Sequence, residues 1–522
     1  MIKRLNRENF IRSIWFGFFL TILFFLFHLI GLTRHSFWID ELHTYGSSQL
    51  PVKELVENRF KAGHLPLYFL FIKYWGYLVG YSETTLRFPS VVFALLSFLA
   101  FFSLCRKFLK DNFTFLLALG LFFFHPFVFW ASQEARMYSL LILITILSSY
   151  TLLLFIENSN RISRYAPTYL IAYSITILVG MNLHMVFVLQ IAVHFTYVFF
   201  YHRKLLIKHL LGIMLPLIIL TPMFLAYSSM QEKYNPGINF KLISPGKALK
   251  RMAFIAMGDT QLIFKNQDLL RHIFGVLTSF FFLFFLISAI IYFIKIKKKS
   301  FEIKKTHIDT LSTDKISIDS GYSDKDELTI LRYSFYWIGI PILIMQLMAI
   351  FTYDKTGPTR YYIPMLAPIV IIMAMGCVKW RKHLIMNLAR YLFLGTFLVI
   401  LLLQLNWKGV GVREGIKFLK GNYRGNDGVV YCSDGALSYS FSFYNADEFN
   451  RMGLSKDLLD KKILLERVEK FAQGKKRIWL ILYREDKSPL VMLLKEHPEL
   501  FKQSFEKEIQ EVKIQGFEIR DF

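Results

Sequence analysis

Apolar runs of close to 20 residues recur along most of this chain, separated by short polar turns. They lie at 12–32, 86–105, 113–131, 137–156, 167–182, 186–201, 210–228, 272–294, 332–351, 362–378 and 390–405. A helix rising 1.5 Å per residue needs about 20 such residues to cross a hydrocarbon core about 30 Å thick. The pattern therefore predicts about eleven transmembrane helices. The first run follows Lys3, Arg4, Arg7 and Arg12, is too long for a signal-peptide core and has no small-residue cleavage site after it. It reads as an uncleaved anchor.

A twelfth run, 65–80, decides the topology. It carries Lys73 at its middle, and a lysine at a bilayer centre costs about 2.5–3.5 kcal/mol on insertion scales. If this run does not span, the clusters Arg106/Lys107/Lys110, Arg161/Arg164, Arg203/Lys204/Lys208, Lys295/Lys297/Lys298/Lys299 and Lys379/Arg381/Lys382 all share the side of the basic N-terminus. Lys and Arg of short loops accumulate on the cytoplasmic side. We therefore expect 65–80 to be a juxtamembrane helix in the outer interface, where Tyr68, Tyr74, Trp75 and Tyr77 suit the depth. Loops 33–85, 229–271 and 353–361, the turns at 132–136 and 182–185, and everything after 405 are then expected outside. The polar run 295–331 is expected to be a cytoplasmic, flexible linker. Its Asp324-Lys325-Asp326 matches a D-x-D metal motif, but so short a segment cannot hold a nucleotide-binding domain.

The rest of the chain is different material. Residues 428–432 and 477–483 read as buried strands, 456–472 as an amphipathic helix and 509–519 as an edge strand. The expected architecture is an all-α polytopic membrane domain over 1–405, with a small α/β domain outside the membrane over 406–522.

Composition agrees. Hydrophobic residues make up 54% of the 522 positions and charged ones 19%, which excludes a soluble multidomain enzyme and a disordered chain. Three cysteines are too few for a disulfide scaffold. The net charge of +24 falls almost entirely on the membrane portion. There it orients helices and meets anionic lipid, and no nucleic-acid partner is implied.

The groups that could carry chemistry fall in the outer layer of this topology. Asp40 and Glu41 follow the first span, where an acidic pair serves as a general base, as a metal site, or merely as a solvated helix exit. His64 opens the juxtamembrane run and could face an anionic head group, a metal, or neither. Gln133, Glu134, Arg136 and Tyr138 interrupt nearly continuous apolar sequence at a tight turn. Arg136 there reads as a phosphate-binding fork or as a residue snorkelling to the surface. Asn182 and His184 mark another turn, and Arg360 and Tyr361 open the tenth span. Transporters place ionisable groups near the midplane instead. The layer suits a reaction at the outer surface on an anionic, lipid-borne substrate.

In order along the chain, the motifs resemble those of the GT-C superfamily of membrane glycosyltransferases, nearest to glycosyltransferase family 39 and its bacterial relatives. These include protein mannosyltransferases and the aminoarabinose transferase of lipid A. The likeness rests on Asp40-Glu41, His64-Leu65-Pro66-Leu67, the S-E-x-x-x-R-x-P-S run from Ser82 to Ser90, the Gln133–Tyr138 turn and the Arg360-Tyr361-Tyr362-Ile363-Pro364 start. Leu65 departs from the usual first proline.

The resemblance implies an inverting hexosyl or pentosyl transferase that uses a polyprenyl-phosphate-linked sugar and an extracytoplasmic acceptor: glycolipid, glycan or protein. Asp40, with Glu41, is implied as the catalytic acid pair, and Arg136, Arg360 and His64 as donor-phosphate ligands. Gln133, Glu134, Tyr138, His184 and Tyr361 are further site candidates. Glu41, His64 and His184 are the candidates should a divalent metal take part; no other cofactor is implied. The implied location is the inner (plasma) membrane, with the active site and C-terminal domain on its outer side. A transporter or flippase for lipid-linked sugars, and a non-catalytic envelope scaffold, would share the spans and charge bias.

Overall fold

The protein is described here from a computed structural model covering residues 11–520, except 235–251, 254, 257–267, 310–317, 352–358, 379–382, 407–408, 433–435, 455–460 and 484–488. The chain divides into two compact units. One comprises Met1–Ile30, Val56–Tyr68 and Pro89–Asn406; the other comprises Gly31–Leu55, Phe69–Phe88 and Trp407–Phe522.

The first unit is helical. Among the described residues, eight helices are long and apolar enough to cross a membrane, and nine if the bent pair Asn112–Phe123 and Pro126–Ser132 is one span. The remaining two expected spans are present as apolar helices of 16 and 15 residues, Ile14–Leu29 and Phe187–Tyr201. The 43° bend of the pair has a local cause. Pro126 has no N–H to continue the ladder, and His125 caps the new helix by accepting the Phe127 N–H at 3.1 Å.

Basic residues of three clusters gather at one end of this unit, while Lys379, Arg381 and Lys382 lie outside the described residues. Arg12 closes the Glu83–Phe108 helix by donating to the carbonyls of Leu109 (2.8 Å) and Lys110 (2.6 Å), with its Nε on Asn112 at 2.7 Å. Lys110 pairs with Asp326 at 2.9 Å, and Arg161 with Glu157 at 3.0 Å. Helices Ile14–Leu29 and Glu83–Phe108 are successive spans of opposite direction, so their basic termini meet only if the intervening run does not cross. That run is a helix of 13 residues, Leu67–Val79, too short to span. Its Lys73 caps the end of the Ile39–Gln49 helix, donating to the Ser48 and Leu50 carbonyls at 3.1 and 2.9 Å.

The polar run 295–331 differs from the expected irregular linker. Helix Asp268–Asp309 continues through its first half and helix Ile318–Phe351 begins within its second. In the first half, Lys, Glu and Ile without Gly or Pro favour helix once the neighbouring span has nucleated it.

Polar groups inside the bundle find one another, as apolar surroundings demand. Tyr173 Oη lies 3.0 Å from His194 Nδ1 and 3.1 Å from His209 Nε2, and Gln190 reaches both His194 and Ser149. The helix closest to the centre is Tyr361–Val378, 94% of whose span is buried. At Gly376 it crosses helix Asp268–Asp309 so closely that a Cβ would collide with the Phe285 backbone carbonyl, and Ser288 donates to the Gly376 carbonyl at 2.7 Å.

In the second unit, the tail forms a five-stranded sheet in the order β2-β1-β3-β5-β4, with β1 Asp427–Cys432, β2 Arg451–Leu454, β3 Arg477–Tyr483, β4 Phe501–Ile509 and β5 Val512–Ile519. β1 runs parallel to β2 and β3, and β5 runs antiparallel to β3 and β4. Helices Lys461–Ala472 and Pro489–Glu496 contribute Leu464, Val468, Leu490 and Leu494 to a core with Val430, Ile478, Leu480 and Leu482. The strand expected at an edge is internal. β5 is flanked on both sides, and the edge is β4, whose charged residues suit an unpaired border. The alternation was real, but periodicity does not state how many neighbours a strand has.

Gly376→Ala should lower the thermal midpoint of the detergent-solubilised protein by several degrees, because backbone cannot yield as a side chain can. Gly395, with nothing within 4 Å of its absent Cβ, should tolerate alanine with no loss. Equal midpoints for the two variants would contradict the close crossing.

Candidate active site

The acidic pair lies in the first turn of helix Ile39–Gln49, where exposed backbone N–H groups favour negative charge. Its two members are treated differently. Glu41 is fully buried and Asp40 half-buried. Arg87, itself 1% exposed, binds Glu41 through two parallel bonds of 2.7 Å, Nε to Oε1 and Nη2 to Oε2. Its remaining N–H groups go to the carbonyls of Leu32 (2.9 Å), His35 (2.8 Å) and Ser36 (3.3 Å), and its plane lies 4.9 Å from the Phe37 ring. All five donors of the fork are thereby used. Glu41 Oε2 also accepts the Trp38 N–H at 3.3 Å, completing a capping box.

Local sequence explains how Arg87 is presented. Ser82 and Thr85 cap its helix reciprocally: the Ser82 N–H donates to Thr85 Oγ1 and the Thr85 N–H to Ser82 Oγ. Pro89 can donate nothing to the Thr85 carbonyl four residues back, and the Trp75 indole fills that vacancy at 2.7 Å.

A second layer comes from the tail. Glu83 accepts the Tyr444 hydroxyl at 2.7 Å and pairs with Arg413, which also reaches the Thr33 carbonyl. Tyr444 Oη in turn accepts the Phe37 N–H at 2.9 Å, and Ser36 Oγ accepts the Val412 N–H at 2.9 Å. Gly409, at φ +78°, lies against His35 with no room for a Cβ. Burial raises the Tyr444 hydroxyl well above its usual range, with the Glu83 charge adding to it. Burial, then Arg87, Arg34 and Arg413, lowers His35 to about 3, so its imidazole stays neutral at physiological pH.

In the helical unit, Gln133, Glu134, Arg136 and Tyr138 form a buried turn, each no more than 3% exposed. Gln133 Nε2 donates to the His28 carbonyl at 2.6 Å, Ser90 Oγ to the Glu134 carbonyl at 2.6 Å, and Tyr138 stacks on Trp130 with centroids 5.2 Å apart. Arg136 therefore does not snorkel to the surface: its side chain is 2% exposed. His184 accepts the Val186 N–H and meets Tyr361 edge-to-face at 5.3 Å. Arg360 belongs to the 3-10 turn Thr359–Met365 beside Tyr361; its side chain lies outside the described residues. His64 is half-buried and follows Gly63 (φ +76°), with its N–H on the Arg59 carbonyl and that of Gly63 on Phe60. This is a Schellman ending to the preceding helix. Among the described residues, no three His, Cys, Asp or Glu side chains gather as a metal site.

No family model matches the sequence, and no curated protein does. The solved structures give a different result. ArnT from Cupriavidus metallidurans in the apo state superposes with a TM-score of 0.54 over 97% of this chain and 98% of that one, at 12% identity. The chain has the fold of ArnT. The same ArnT bound to undecaprenyl phosphate superposes with a TM-score of 0.44 over 95% and 97%, also at 12% identity. ArnT is a lipid A aminoarabinose transferase, a glycosyltransferase of the GT-C, family 39-like type. At 12% identity the likeness is one of fold.

The two bonds to Glu41 make Arg87 more than a motif letter. Sequence reading placed it in the S-E-x-x-x-R-x-P-S run without a role, and left Glu83, Arg413 and Tyr444 unassigned. The usable signal was the single arginine at the start of an apolar span, which needs an acid if it is buried.

Glu41→Gln leaves Arg87 buried without its counter-charge, a loss of about 3–5 kcal/mol. Unfolding of the second unit, followed by tryptophan fluorescence, should shift to lower denaturant, and the double change Glu41→Gln/Arg87→Met should recover part of the shift. Full stability of the single variant would refute the pair's importance. The neutral His35 gives a pH dependence of known sign. Its folded pKa lies below the unfolded value of about 6.5, so unfolding takes up a proton and stability falls as pH drops from about 6.5 toward 3. His35→Gln should flatten that slope between pH 6.5 and 5 relative to wild type.

Proposed function

We propose that the protein is an inverting glycosyltransferase that moves a sugar from a polyprenyl-phosphate carrier to an acceptor hydroxyl outside the membrane. The division of labour in the acidic pair carries this reading. Glu41 is consumed by Arg87, whereas Asp40, one residue earlier on the same immobilised turn, keeps partial exposure. A base needs such a setting: held in place and partly shielded from water, yet reachable. The ArnT fold over nearly the whole chain supports the reaction class.

In this reading Asp40 takes the proton of the acceptor hydroxyl. The hydroxyl oxygen attacks the anomeric carbon in line, and the carrier phosphate leaves with the electrons of the broken C–O bond. Arg136 and Arg360 take up the charge that grows on the phosphate, the kind of electrostatic help that preorganised cations supply best. Glu41 is a positioning residue. In this reading the end of the helical unit bearing the Gln133–Tyr138 turn faces outward, and the end bearing Arg12, Lys110 and Arg161 faces the cytoplasm, following the bias of basic loops. Outside the cell nucleotide sugars are not expected, so a lipid-linked donor is the economical one.

Transfer of labelled sugar from polyprenyl-phosphate donors in proteoliposomes tests the assignment. Asp40→Asn should insert normally and lose at least about 10²-fold in rate, a general base's usual share. Arg136→Ala should lose more than Arg136→Lys, and Lys should fall short of wild type because it lacks the two-pronged contact. A well-inserted Asp40→Asn protein with near-wild-type transfer would remove Asp40 from the mechanism. The same assay with a chelator decides whether a divalent ion takes part.

A further inference from the structure

The basic end of the helical unit contains an arginine that the transferase reading leaves unused. Arg332 lies six residues past Asp326 on helix Ile318–Phe351, about 9 Å along the axis at 1.5 Å per residue. This is where the apolar part of that helix begins. Its guanidinium sits over the Tyr201 ring, 4.5 Å from the centroid. Tyr336 packs on the same tyrosines: its ring lies 5.6 Å from that of Tyr201 and 5.9 Å from that of Tyr197, and His202 packs 5.5 Å from Tyr197. Arg332 is half-buried. Among the described residues, neither a carboxylate nor any other hydrogen-bond acceptor partners it.

A permanently charged fork with five donors is costly to keep beside hydrocarbon without an anion. Three other basic side chains at this end are supplied from within the protein: Arg12 by helix-end carbonyls, Lys110 by Asp326, Arg161 by Glu157. Arg332 has only aromatic rings, which orient a guanidinium but do not satisfy its N–H groups. Beside it the surface turns apolar and outward, with Phe200 56% and Tyr201 42% exposed, while Arg203 and Lys204 stand exposed just beyond the helix end. Cation, hydroxyl-bearing rings and adjoining bare apolar surface are the ingredients that a phosphate with attached acyl chains would use together.

We propose that Arg332, stacked on Tyr201 beside Tyr336, binds the phosphodiester of an anionic phospholipid from the leaflet at the basic end. The exposed rings favour a lipid over free phosphate, since inorganic phosphate would leave Phe200 uncovered. The site is independent of the transferase reading.

The test uses the full chain purified in a zwitterionic detergent. Phosphatidylglycerol and phosphatidylcholine of matched acyl chains are titrated, with bound lipid counted by native mass spectrometry and protection read as a thermal shift. Wild type should hold phosphatidylglycerol in preference to phosphatidylcholine. Arg332→Gln should weaken that binding about tenfold or more, as loss of a charge-assisted pair does. Arg332→Lys should fall between, and Tyr201→Phe should weaken binding a few-fold with the charge intact. Lys204→Gln should leave it unchanged. Undiminished phosphatidylglycerol binding in Arg332→Gln would overturn the proposal; if that variant does not fold, undiminished binding in both Arg332→Lys and Tyr201→Phe would do so. An equal loss in Lys204→Gln would reduce the effect to diffuse attraction. Equal protection by millimolar inorganic phosphate would overturn the lipid assignment.

Discussion

The second unit is organised around one buried ion pair, Glu41 with Arg87. Removing a carboxylate and a guanidinium from water is unfavourable by several kcal/mol each, and the pair persists only because nothing on either group is left unmade. Two parallel N–H···O bonds join them, three backbone carbonyls take the rest of the fork, and an aromatic ring covers its plane. The carbonyls of Leu32, His35 and Ser36 belong to the irregular stretch before the acidic helix, so the arginine that neutralises Glu41 also fixes the path of the chain into Asp40. An apolar substitute could fill the volume but would hold neither the loop nor the helix cap.

The α/β tail takes part in the same construction. Arg413 and Tyr444 converge on Glu83, four residues before Arg87, and Ser36 is bonded by the backbone of Val412. Gly409 is required where His35 leaves no space for a side chain. A domain that looks from its sequence like an independent appendage therefore shares its interior with the segments that carry the acidic pair, and the two should lose structure together.

The helical unit obeys a different constraint. Lipid supplies no hydrogen bonds, so polar side chains must find partners inside. The Gln190–His194–Tyr173–His209 chain and the Arg12 fork at a helix end are two answers to that demand. Close approach at Gly376 is the packing counterpart, where a missing side chain lets two backbones meet.

Much of this was legible in the sequence, because membrane spans and basic loops are local signals. The apolar runs located the helices, Lys73 argued that residues 65–80 do not cross, and the ordered motifs pointed to the GT-C fold, each without knowledge of any long-range contact. Span length was less legible: Ile14–Leu29 stops while the sequence is still apolar, because the backbone turns extended at Ile30. Strand position was legible in part: β1 and β3 read as buried strands and are internal, but β5 alternates like an edge strand yet pairs on both sides. The acidic pair was visible in the sequence, with Asp40 expected as the base; only the tertiary structure showed Glu41 paired with Arg87. Which of two adjacent acids is neutralised depends on an arginine 46 positions away and on the fold that buries it. Residue type and spacing set which groups can ionise, but burial and partner decide how each of them is held.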